Sequence, residues 1–278
     1  MSKNIVPYLT KRFLRFDNEQ PFIFLSALLA FLGISLGVMV LLVAMALMNG
    51  FDNEFKKKLT IMNYPLTILP KFYGAVNDDL LIDLESKFPH LHFSPYVQSS
   101  IMVRSGSKLE GGYLFGVNFK DEVEVNSVLK EAIGSSKIPK FSVVVGKTLK
   151  DEFNVFIDDR LMYVFTKLEP GGLSVTPKIK RFKIKGIFDS GLTAYDKAYS
   201  YTTLASLQAM MHIPSTQYDG IHIYSENPHS DILKIKAILP VGVSIKGWWE
   251  DNVNFFAALE LEKASLFIVL MLIILIAS

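Results

Sequence analysis

"FLGISLGVMVLLVAMALMNGF", Phe31 to Phe51, is the greater part of the longest uncharged run in the chain, which begins at Gln20 and meets no charge until Asp52. In a helix rising ~1.5 Å per residue, such a run is longer than the ~30 Å of bilayer hydrocarbon. The sequence therefore predicts a helix that spans a membrane and projects beyond it. A second apolar run, "ASLFIVLMLIILIAS" (Ala264–Ser278), follows Lys263. A spanning helix needs about 20 apolar residues. This run therefore reads as a second membrane helix, with the chain truncated inside it.

The flanks of the first helix bear on its fate. A cleavable signal peptide has an apolar core of about 7–15 residues. Here a longer apolar stretch precedes the small residues "AMA" at Ala44 to Ala46, so a retained anchor is expected. Lys3, Lys11, Arg12 and Arg15 precede the helix and Lys56, Lys57 and Lys58 follow it. The slight positive-inside bias places the N-terminus in the cytoplasm and the following domain outside. Within the helix, Gly33 and Gly37 form a small-xxx-small stripe with Ser26, Ala27 and Ala30 nearby, a surface on which another helix can pack closely.

Half of the 278 residues are hydrophobic, and the excess sits in the two runs. Between Asp52 and Glu250 the composition is that of an ordinary globular domain with a core of its own. A net charge of +2 points to neither nucleic acid nor a polybasic membrane patch. The absence of cysteine excludes disulfides, thiol catalysis and cysteine-ligated zinc. Strand-like runs ("YPLTILPK", "YVQSSIMVRS", "DRLMYVFTK", "KIKRFKIKGIF", "YDGIHIYS", "GVSIKGWW") alternate with helical ones ("DDLLIDLESKFP" with Asp78 as cap, "GKTLKDEF", "TTLASLQAMM", "SDILKIKAIL"). This interleaving with hairpins predicts an α+β domain. The helix that begins in the membrane is expected to run on through "DNEFKKKLTIMN" as a stalk, and an unbroken helix is expected from Asp251 onward.

Chemistry-bearing motifs are weak throughout. "VVVGKT" lacks the earlier glycine of a P-loop, because Phe141 stands where it should be. Ser105 and Lys108 have S-x-x-K spacing but sit in a hairpin turn, without the partner motifs that chemistry requires. The five histidines form no helix-borne zinc pair, and His222 reads simply as a strand residue. No catalytic centre, metal site or cofactor is expected. Trp248 and Trp249, with Phe255 and Phe256, form an aromatic group before the second apolar run. It could serve as an interfacial belt, a core plug or the lining of a lipid site.

"LGISLGVMVLLVAMALMNGFDNEF" resembles the first transmembrane helix of the lipoprotein-releasing ABC transporter permeases, the LolC/LolE family. "VVVGKTL", "TPKIKRFKIKGIFDSGLTAYD", "YTTLASLQ" and "WWEDNVNFFAALELEKASLFIVLMLIIL" resemble, in order, the family's periplasmic domain and the start of its second helix. The resemblance implies a multi-pass protein of the bacterial inner membrane in which transmembrane helices flank a large α+β periplasmic domain with a MacB-like core. Its segments would be residues 1–20, cytoplasmic or interfacial; 21–48, the first transmembrane helix; 49–258, the periplasmic domain with helical stalks; and 259–278, the start of the second helix. The implied partners are a cytoplasmic ABC ATPase, a second permease subunit, lipoprotein, membrane lipid and a periplasmic carrier. Met45, Met48, Phe51, Phe255, Phe256 and Leu259 would face the lipoprotein's acyl chains. A carrier-docking loop would include Pro170, Gly171, Gly172, Thr176, Pro177 and Arg181, although this loop departs from the family pattern after "TP". A permease of the related MacB/FtsX kind with another partner, and a membrane-anchored extracytoplasmic sensor, are the alternatives.

Overall fold

The computed structural model describes residues 21–72, 74–165, 177–250 and 253–277; within the two long helices, the side chains of residues 21, 23, 52, 53, 55–61, 255, 256, 273, 274, 276 and 277 are outside this description. The chain divides into two compact units: a helical one, up to Phe55 and from Asn252 onward, and a domain, Lys56–Asp251.

Helix α1, Pro21–Met62, is 42 residues long. Its stretch Phe24–Phe51 is, among the described residues, the one helical segment long and apolar enough to cross a membrane, and none of its most apolar window is buried by protein. The second long helix, Val253–Ala277, carries Glu260, Glu262 and Lys263 ahead of its apolar run. A side-chain hydrogen bond joins the two helices of this unit: Lys263 Nζ donates to Asn49 Oδ1 at 3.0 Å.

In the domain, β1 (Leu66–Pro70), β10 (Gly220–Tyr224), β11 (Val243–Gly247) and the first half of β3 (His92–Ser105) form an open antiparallel sheet in the order β11-β1-β10-β3. The remaining strands close on themselves. β3 pairs with β4 (Lys108–Val117), β4 with β8 (Tyr199–Thr203), and β8 with β5 (Ser142–Gly146). β5 pairs with β7 (Lys178–Phe188), β7 with β6 (Arg160–Phe165), and β6 returns to β3 at Ile101–Arg104. Among the described residues this is a six-stranded ring fused to a four-stranded sheet through one shared strand, with β2 (Val76–Asn77) and β9 (Gln217–Tyr218) paired separately.

The shared strand shows in its burial pattern why it can serve both. Phe93 to Val97 is buried without a break, as expected where both faces of a strand are covered; from Gln98 to Arg104 burial alternates, as expected where one face is wet. Val97, Ile101 and Val103 point into the ring with Leu161, Tyr163, Phe182 and Ile184. Phe93 instead joins Leu66, Ile68, Ile221 and Ile223 under the helix Asp78–Lys87. That helix is capped by Asn77, one residue before the expected Asp78. Asn77 has the extended backbone a cap needs, and its Oδ1 accepts from the Leu80 amide at 3.2 Å. Asp78 instead accepts from the Tyr218 hydroxyl.

A third core lies outside the ring. Two short helices, Phe119–Val125 and Ser127–Ile133, bring Val128, Leu129 and Ile133 against Tyr96, Phe115, Val144, Phe188 and Tyr201. Met62, the last residue of α1, is buried in this core at 3% exposure.

Candidate functional site

In the helical unit, Met45 and Met48 are half-buried, Phe51 is exposed and Leu259 is buried. The side chains of Phe255 and Phe256 lie outside the described residues. Asn49, the partner of Lys263, directly follows Met48 in "MNGF". Gly33 and Gly37 are spaced four apart on one face of α1. Of the expected docking loop, Pro170, Gly171, Gly172 and Thr176 lie outside the described residues. Pro177 precedes β7, and Arg181 is exposed on that strand opposite Met162.

The most concentrated polar chemistry lies where the chain enters the domain. Glu122, on the helix Phe119–Val125, is wholly buried. One carboxyl oxygen accepts from the Tyr64 hydroxyl and the other from Ser94 Oγ at 2.6 Å. Asn126 Nδ2 donates to the Tyr64 hydroxyl at 3.2 Å. The His222 ring is sandwiched between Tyr64, 3.4 Å away between centroids, and Tyr96, 3.9 Å away. Its Nδ1 is buried without a hydrogen-bond partner among the described residues and faces Glu122 Oε2 at 3.6 Å.

Burial shifts these groups in a consistent direction. Desolvation, followed by the charge of Glu122, raises the Tyr64 hydroxyl well above its ordinary value, so it remains a donor. Desolvation lowers the His222 imidazole, with Glu122 opposing the shift, so the ring is neutral at pH 7. Tyr64, Tyr96, His222, Lys246 and Trp248 line a cavity of about 230 Å³. With its carboxyl enclosed and saturated by hydroxyl donors, the cluster is suited to holding chain segments together.

Neither Glu122 nor Tyr64 stood out in the sequence. "KDEVEV" looks like an acidic, solvated segment, and only the distant Tyr64, Ser94 and His222 make its first glutamate, Glu122, an interior group.

Two of the motifs that carried the family resemblance, "VVVGKTL" and "GIFDSGLTAYD", come together in space. Asp196 of "AYD" is buried and accepts from Ser190 of "FDSG" through both its amide, at 3.0 Å, and its hydroxyl, at 2.6 Å. Asp189 pairs with Lys147 of "VVVGKT" at 2.6 Å. Gly146 before that lysine is required by contact: a Cβ there would lie 2.1 Å from the Asp196 carbonyl oxygen. Tyr195 of the same motif reaches Asn63, whose Nδ2 donates to the Tyr195 hydroxyl at 3.0 Å. "VVVGKT" therefore belongs to a structural clasp, in keeping with its missing P-loop glycine. Among the described residues no group of three or more His, Asp or Glu could hold a metal.

Trp249 packs half-buried against the core beneath the open sheet, with His229 at 4.0 Å, which is the core-plug role among the three open to this aromatic group; Trp248 lines the cavity.

Comparison with known proteins places this architecture. The family described as the MacB-like periplasmic core domain matches residues 27–232. The lipoprotein-releasing system transmembrane protein LolC of Xylella fastidiosa is 24% identical over 271 residues, which cover 95% of this chain and 65% of that protein. LolC of Neisseria meningitidis is 23% identical, with 96% and 66% covered, and LolE of Haemophilus influenzae is 22% identical, with 96% and 67% covered. The chain thus spans about two thirds of the length of these relatives, or slightly less. Among solved structures, the periplasmic region of MacB from Actinobacillus actinomycetemcomitans aligns with a TM-score of 0.45 at 12% identity, covering 69% of this chain and 92% of that one.

Proposed function

The chain belongs to the family of the MacB-like periplasmic core domain, and from that premise we propose that it is a permease subunit of an ABC transporter that lifts lipoproteins out of the inner membrane. The supporting observation is the extent of the likeness to LolC and LolE, which takes in the apolar helix, the domain and the start of the second long helix. In this reading the domain lies in the periplasm and the chain is not itself an enzyme. A separate cytoplasmic subunit hydrolyses ATP, and a second permease subunit packs on the Gly33–Gly37 stripe. Met45, Met48, Phe51, Phe255, Phe256 and Leu259 form the acyl-chain surface, since flexible thioethers and aromatic rings adapt to chains of variable packing. Pro170, Gly171, Gly172, Thr176, Pro177 and Arg181 belong to the loop that meets a periplasmic carrier.

The test is to place photo-crosslinking side chains at Met48 and Phe256 of the complete permease in membranes. Capture of lipoprotein at both positions is expected. Capture confined to positions deep in the domain, such as Tyr163, would refute the acyl-chain surface. The family match also suits a MacB-type permease with another partner, and in that case no lipoprotein would be captured at either position.

A further inference from the structure

Resting on that transporter reading, we propose that Tyr64 and Tyr195 are positioning residues that fasten the end of α1 to the domain, so that movement of this helix reaches the sheet instead of being lost in the connection. Only Asn63, Tyr64 and Pro65 lie between α1 and β1. An unsupported connection of this kind would be a hinge, because each free residue brings two soft dihedrals. Here each of the three is held. Asn63 is bonded through its side-chain amide to Tyr195. Tyr64 is bonded to Glu122 and Asn126 and stacked on His222. The Pro65 carbonyl accepts from the Trp248 amide at 3.3 Å.

The last bond links entry to exit. β1 follows α1 and β11 leads towards the second long helix; the two strands are paired, with Leu66 opposite Gly247. The anchors come from separate parts of the domain: the helix Phe119–Val125 supplies Glu122, the helix Thr193–Ala198 supplies Tyr195, and β10 supplies His222. A pull or twist at Met62 is therefore shared by the ring, the outer helices and the open sheet together. The tyrosines are the economical points to test, since removing a hydroxyl leaves each ring in place.

The experiment uses the complete permease assembled with its ATPase in proteoliposomes, as wild type and as Tyr64→Phe, Tyr195→Phe and the double variant. Tyr163→Phe is the control: it loses a buried tyrosine bond of similar kind, Tyr163 to Ser200 at 3.0 Å, and Tyr163 belongs to the core inside the ring, not to the one that holds Met62. Hydrogen exchange at the Asn63, Tyr64 and Leu66 amides and lipoprotein released per ATP hydrolysed are measured together. The joint variants are expected to exchange about tenfold faster at those amides and to release less lipoprotein per ATP while hydrolysis continues. Tyr163→Phe should change neither. Unchanged exchange and release in the double variant would overturn the proposal, as would an equal loss in the control. If wild type releases no lipoprotein, the transporter reading fails, and the exchange data alone decide whether the joint exists.

Discussion

Glu122 shows how much one buried carboxyl can hold. Glu122→Ala leaves the Tyr64 and Ser94 hydroxyls without their acceptor and should destabilise the protein by about 2–4 kcal/mol, whereas Ser94→Ala should cost about 1 kcal/mol. Denaturant midpoints of the two variants test this ordering, and equal midpoints would contradict it. His222 adds a pH dependence of known sign. Its folded value lies below the ordinary 6.5. On acidification through that value the unfolded chain takes up a proton that the folded one resists, so this contribution to stability holds at higher pH and is lost as pH falls. His222→Phe keeps a ring in the stack and removes the titration. Its melting temperature should decline less than that of wild type between pH 7 and pH 5; parallel decline would exclude His222 as a source.

At the scale of elements, close approach sets sharper limits than propensity. Gly146→Ala would drive a methyl into the Asp196 carbonyl and displace the helix Thr193–Ala198, together with the Ser190 clasp. A loss of about 3 kcal/mol is expected. Gly111→Ala, on a strand with nothing within 4 Å of the added carbon, should stay within about 0.5 kcal/mol of wild type. Thermal unfolding of the pair separates contact from a general intolerance of substitution. In the helical unit, Gly33→Leu and Gly37→Leu should weaken assembly with a second subunit, read from the complex recovered in detergent; intact assembly would remove the stripe from the proposal.

Most elements were legible because their patterns are local. The alternation in "KIKRFKIKGIF" became β7, and the unbroken apolar run became α1. The cap moved from Asp78 to Asn77 because backbone conformation, not residue type alone, decides which side chain can turn back on the first amides. The short helices Phe119–Val125 and Ser127–Ile133 were not foreseen, since each has only 7 residues and little room to show a period. Ring closure could not be read either. It rests on β5 running parallel to β7 and on β6 meeting β3, pairings between segments far apart in sequence.

At the scale of the whole chain, the family and the domain class were visible in motifs, while the function of those motifs was not. "GIFDSGLTAYD" carries part of the family resemblance, yet its spatial role is to clasp Gly146 and reach Asn63, a role that depends on where α1 ends. Tyr64 and His222 were single residues without a pattern until the fold stacked them.

The strand shared by ring and open sheet carries a thermodynamic consequence. β3 cannot leave one without tearing the other, so neither half of Lys56–Asp251 has a melting event of its own. Calorimetry of this region should show a single endotherm whose measured and van't Hoff enthalpies agree. Two resolved peaks would mean that the strand frays at Gln98 and that the halves are separable.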